Sequence, residues 1–181
     1  MTKLEKYRKG FLTVSFGLIF ITSWLTVQLS PEKGSTVEIL PDFIGWILIW
    51  TAIPYFFDDK PKYLNLICIG EIAASLILFA VHLFTGFSHM IVNILLTAGE
   101  VYAVYTFLTR MYDAACEGDS EVARFIIPFR DIYTWCVPLT IVVSSLPGVW
   151  ALLSAITGVI SVFVVLGIVA VSMIVRRELV R

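Results

Sequence analysis

Six long apolar blocks, joined by connections too short to hold a domain, constrain this chain more than any other feature. They lie near residues 11–29, 40–57, 64–87, 89–109, 131–149 and 151–175. Each is long enough to cross a hydrocarbon core of about 30 Å as a helix. Within them the apolar residues run on without the period of a soluble amphipathic helix. Composition agrees: 59% of the 181 residues are hydrophobic, only 15% are charged, and the mean hydropathy is +0.90. So few charges would leave the surface of a soluble domain of this length unsolvated. The expectation is an all-α fold: a single membrane domain over residues 1–181, built as a polytopic bundle of about six transmembrane helices.

The opening "MTKLEKYRKG" is basic, like the first part of a signal peptide. The apolar run behind it is longer than such a peptide needs and lacks a small-residue cleavage pattern, so it reads as an anchor. With six spans both termini share a side, and of the 13 Lys and Arg only Lys33 falls opposite. The positive-inside rule then places both termini, "DDKPKY" and the 110–131 connection in the cytoplasm of a multi-pass plasma-membrane protein. Trp24, Trp46, Tyr55, Tyr63, Tyr112, Trp135 and Trp150 fall near the expected helix ends, as an aromatic belt would. A formal net charge of −1 gives no field to attract nucleic acid. Cys68, Cys116 and Cys136 lack the paired spacing of a disulfide framework or a zinc site.

Inside the blocks, the carboxylates stand out. A charged side chain at the centre of a membrane helix costs roughly 2.5 to 3.5 kcal/mol on insertion scales, so such residues face other helices or water. At about 100° per residue, Glu71, Ser75, His82 and Thr85 fall within about 80° on the third helix, and His89, Asn93, Thr97 and Glu100 do the same on the fourth. Only "GFSH" joins the two, which predicts a tight antiparallel hairpin with both stripes facing one space. The fold of that hairpin sets Glu71 and Glu100 about 6 Å apart along the axis, at 1.5 Å per residue. No Lys or Arg lies inside a span to pair with them, so the expected states are both protonated or one proton shared. Glu71, Glu100, Ser75, His82, Asn93 and Thr97 thus form a candidate ion or small-solute site. The competing reading makes them interhelical hydrogen-bonding groups and nothing more.

Other features carry less. Val122, Phe125, Ile126 and Phe129 follow helical spacing in the cytoplasmic connection and predict a membrane-surface helix over 119–129, ended by Pro128. Pro54 and Pro138 fall in the second and fifth spans, as two inverted halves would place them, and Asp42–Trp46 and Asp131–Trp135 share D-x-x-x-W. Ser154, Gly158 and Ser161 make a small-residue face on the sixth helix, read as close packing. Ser15, Thr22 and Thr26 give the first helix a mild polar side turned toward the seam. The span "HMIVN" matches the H-x-x-x-N element of intramembrane CAAX-type proteases, but that family's upstream Glu pair is missing. No H-E-x-x-H, phosphate-binding glycine loop or nucleophile with a His partner is present, and no cofactor motif or metal-ligand set is found.

The segment "EILPDFIGWILIW", residues 38–50, resembles the "LPDFIGY-L" signature of small multi-spanning membrane proteins of Gram-positive bacteria, mostly without an assigned function. In that segment Pro41 suits a first helical turn, Asp42 the positive end of the helix dipole, and Gly45 close packing. In layout the chain also resembles the substrate-capturing subunits of energy-coupling-factor vitamin transporters, without a matching substrate motif. The expected function is a transporter or transporter subunit, with a protonatable site between the third and fourth helices. The alternative is a non-catalytic partner or assembly protein that docks through the 110–131 segment. An intramembrane enzyme comes third. The bilayer is the partner common to all three, and a small bundle of this kind is also open to forming oligomers.

Overall fold

A computed structural model describes residues 2–22, 26–30, 35–38, 41–59, 61–85, 90–144 and 150–179. It contains six helices: α1 (Lys3–Thr22), α2 (Asp42–Phe56), α3 (Lys62–Thr85), α4 (Met90–Glu117), α5 (Ile126–Ser144) and α6 (Trp150–Glu178). Between α1 and α2 the strands β1 (Thr26–Ser30) and β2 (Ser35–Glu38) pair antiparallel.

The helices follow one another round a closed ring. Each packs on the next in the chain, and α6 returns to pack on α1. Among the described residues, the joint between α3 and α4 is the least extensive of the six. The most intimate is α1 against α2, where a Cβ built on Gly45 would stand 2.6 Å from the carbonyl oxygen of Gly17. No larger residue at either position leaves the backbones at this separation. Nearby, Phe56 takes an edge-on contact from Phe11 at 5.5 Å and another from Phe107 at 6.3 Å, tying α1, α2 and α4 into one core. On the outer side of α2, the Trp50 indole donates to Asn65 Oδ1 at 2.7 Å and Phe43 meets Phe79 edge-on, which holds α3 in place.

One end of the ring is basic. Lys3 and Tyr7 of α1 meet Glu117 of α4, Arg110 of α4 lies over the Phe57 ring just past α2, and Ser120 bonds Glu178 of α6. The start of α1, the end of α6 and the described parts of the α2–α3 and α4–α5 connections therefore share this end.

Several boundaries depart from expectation. The first helix was expected over 11–29, but it starts at Lys3 and stops at Thr22. A reciprocal cap sets its start: the Thr2 amide donates to Glu5 Oε2 at 2.8 Å and the Glu5 amide to Thr2 Oγ1 at 3.2 Å. Beyond it, Thr26 and Val27 are β-branched and pair with Glu38 and Val37, so the end of the expected span is strand. The connection between the first two spans contains that ribbon, so the regular structure among the described residues is helical apart from one short hairpin. The fourth helix was expected to end near 109 but runs to Glu117, because no Gly or Pro intervenes before Gly118. Its end is closed by the Gly118 amide on Ala114 O and the Ser120 amide on Ala115 O, with Asp119 in the left-handed region at φ 51°. Nor does Pro128 end a surface helix. A single 3-10 turn, Ala123–Phe125, leads into α5, and Pro128 occupies that helix's first turn, where a missing N–H costs nothing. Pro54 and Pro138 lie inside α2 and α5 as expected.

By length and composition, two helical segments among the described residues can cross a membrane, Lys62–Ala80 and Ile156–Glu178, and Asp42–Phe56 is a shorter apolar helix. The ring's outer surface is strongly apolar: Trp135 is 79% and Phe163 68% exposed, and Leu66, Ile77, Leu95, Val142 and Leu166 stand open beside them.

Candidate functional site: an acidic cavity inside the helix ring

The described helices enclose a small cavity of about 120 Å³. The last turn of α1 contributes Ile21 and Thr22, the first residue of α2 contributes Asp42, and α4 contributes Glu100. Val137 and Thr140 of α5 and Ser161 and Val162 of α6 complete the wall. Because α1 arrives here at its C-terminus and α2 leaves at its N-terminus, the cavity lies in the half of the ring remote from the basic end.

Local bonding decides what this cavity presents. In an apolar helix a Ser or Thr hydroxyl satisfies itself by donating to the carbonyl four residues back. Thr22 donates to Leu18 O at 2.7 Å, Thr140 to Cys136 O at 2.8 Å, and Ser161 to Thr157 O at 2.9 Å. With each proton committed to backbone, these oxygens can offer only lone pairs to the cavity. Asp42 and Glu100 add carboxyl oxygens, and no Lys, Arg or His lines the described wall. With a carboxyl ionised, such a surface accepts hydrogen bonds or cations and repels anions; with it protonated, the same carboxyl adds one O–H donor. The hydroxyl of Tyr133, fully buried on α5, donates to Glu100 Oε1 and also lies within electrostatic reach of Asp42.

Glu71 stands beside this site without lining it. It is 6% exposed, its carboxyl fills the space over Gly99 where a Cβ would sit, and it interacts electrostatically with Glu100. Glu71 of α3 and Glu100 of α4 thus lie within electrostatic reach of each other, beside the glycine that precedes Glu100. Glu100 itself turns toward α1, α5 and α6 instead of α3, so the candidate site is displaced from the α3–α4 seam into the middle of the ring. Thr97 is buried and lines an apolar groove between α4 and α5, and Ser75 is half-buried on α3. The side chains of His82 and Asn93, and all of His89, lie outside the described residues. Of the four residues expected at the membrane surface, Ile126 is buried, Val122 and Phe129 pack against the core, and Phe125 is exposed. Phe129 covers Gly167 of α6.

Asp42, Tyr133 and Thr140 were not anticipated as site residues. Thr22 was expected to face the α3–α4 seam and lines this cavity instead, and Ser161 was read as packing alone. The signal for Asp42 was present in the "LPDFIGW" segment, where it was assigned only to the helix dipole. Among the described residues no group of three or more His, Cys, Asp or Glu is placed to hold a metal ion. Comparison with protein-family models, with curated proteins and with solved structures finds no match.

Proposed function

We propose that this chain is a six-span plasma-membrane protein with both termini cytoplasmic, and that the Asp42–Glu100 cavity binds a proton or a monovalent cation as part of a transporter or transporter subunit. The observation that carries this reading is the cavity's one-sided chemistry: two carboxyls and three hydroxyl oxygens whose protons are spent on backbone carbonyls. Oxygen-only acceptor sets suit hard cations and protons. Buried carboxyls inside membrane bundles mark ion pathways and proton relays. The apolar outer surface supports burial in lipid, since a soluble protein does not present Trp and Phe this openly on several helices. The basic end faces the cytoplasm, the cavity then lies in the outer half of the membrane, and Glu71 is a second acid through which a proton passes from Glu100 toward α3.

The test is uptake into vesicles reconstituted with the full chain and loaded with a pH-sensitive dye. Under an imposed ion gradient, Glu100→Gln and Asp42→Asn abolish proton or cation movement while the protein still extracts as a folded species. Transport that survives both substitutions refutes the reading. It would favour the structural one, in which Tyr133 and Glu100 simply fasten α5 to α4.

A further inference from the structure

We infer a second, oppositely charged site at the basic end: a cleft between the first turns of α1 and the last turn of α6 that binds a phosphate group. The cleft has a volume of about 440 Å³ and is lined by Glu5, Arg8, Lys9, Leu12 and Arg176. Three cations from two helices converge on it against one carboxylate. That carboxylate is already engaged, because Glu5 caps α1 by accepting from the Thr2 amide. Among the described residues Arg8 Nε is buried and has no hydrogen-bond partner. A guanidinium N–H withdrawn from water and left unpaired is unfavourable unless an acceptor arrives to meet it. Arg binds phosphate through a planar fork of donors, and Arg176 and Lys9 supply the additional positive charge that a phosphate monoester or diester requires.

The volume exceeds what a bare phosphate fills, and Leu12 gives the cleft an apolar side on the way toward the membrane-embedded part of α1. In the orientation proposed above, the cleft opens at the cytoplasmic headgroup layer, where anionic phospholipids collect basic side chains. The chemistry recognised is the phosphate, whether free or carried by a headgroup. The site shares no residue with the acidic cavity, so it stands if that cavity proves inert.

The experiment is thermal unfolding of the full chain in neutral maltoside micelles, titrated at constant ionic strength with inorganic phosphate and, separately, with a short-chain phosphatidylglycerol. A ligand that binds only the folded state raises the midpoint progressively once its concentration exceeds its dissociation constant. The expected result is a rise of several degrees that disappears in Arg8→Gln and in Arg176→Gln and persists in Lys3→Gln, whose ammonium pairs with Glu117 outside the cleft. A rise with phosphatidylglycerol alone assigns the site to a lipid headgroup, and an equal rise with inorganic phosphate assigns it to the free anion. If Arg8→Gln does not fold, Lys9→Gln and Arg176→Gln carry the test. No rise with either ligand, or a rise unchanged in the cleft variants, overturns the proposal.

Discussion

At the level of single residues, the cavity's character comes from where protons are already committed. Tyr133→Phe removes the hydroxyl that donates to Glu100 and leaves the ring in place. The expected outcome is a shift of the Glu100 carboxyl stretching band in the infrared, assigned by its loss in Glu100→Gln, together with a changed pH dependence of transport. A band that does not move would mean that the bond is not formed in the membrane. Asp119 offers a check on backbone geometry, since its φ of 51° is tolerated by Asp but resisted by a β-branched residue. Asp119→Val should lower stability by about 1 to 2 kcal/mol, and Asp119→Gly should not, as read by unfolding in mixed micelles. Glu71 and Glu100 were legible in the sequence because a carboxylate inside an apolar block is conspicuous. Asp42 was not, because an acid at the start of a helix already has an explanation in the dipole. Tyr133 and Thr140 gave no signal, because tyrosine in a membrane chain reads as interfacial and threonine as neutral until a neighbouring helix shows what it faces.

Among the elements, the α1–α2 hairpin is the rigid part of the ring. A Cβ at Gly45 meets backbone that cannot rotate away, so Gly45→Ala should cost about 1 to 3 kcal/mol through forced helix separation. Because Thr22 and Asp42 lie on these two helices, that separation should also weaken transport. Unfolding titrations and uptake measured on one preparation check both, and unchanged stability would mean that the two glycines do not touch. All six helices could be read from the apolar blocks, since block length and short connections leave few alternatives. Their ends could not. The start of α1 depends on a capping pair formed by Thr2 and Glu5, the end of α4 on a left-handed Asp119, and the strands on pairing across a connection that hydropathy does not register. The direction in which Glu100 points was hidden for a related reason. Helical periodicity places residues on a face, and only the closure of α6 onto α1 shows that the face looks inward.

The whole molecule has two poles, a basic end and an acidic interior. The basic end is stitched by Lys3 Nζ at 2.6 Å from Glu117 Oε2, with the Tyr7 hydroxyl donating to the same oxygen at 3.0 Å. Hydrogen bonds from Lys3 first and Tyr7 second hold the Glu117 carboxyl below its ordinary range, and the bond to Glu117 holds the Lys3 ammonium above its own. A lowered carboxylate stabilises the fold above its unfolded pKa, and this contribution is lost as pH falls through the folded value. A raised ammonium stabilises below its unfolded pKa and loses that contribution as pH rises through the folded value. Glu117→Gln should therefore lower the unfolding midpoint at neutral pH and converge with the parent protein in acid. Orientation has its own check. Cys116 is exposed at the basic end, Cys68 is buried and Cys136 is half-buried, so in a Cys136→Ser background a membrane-impermeant maleimide should label Cys116 only after permeabilisation, and labelling of intact cells would reverse the topology.

Exchange of protons or cations in the interior can be read from the infrared carboxyl band of the reconstituted protein as pH and monovalent cation concentration are varied. The expected result is a carboxyl signal that changes with pH and with cation, is lost in Glu100→Gln and is reduced in Asp42→Asn. A signal that stays constant across pH and cation rules out such exchange and leaves Glu100 as a hydrogen-bonding group between helices.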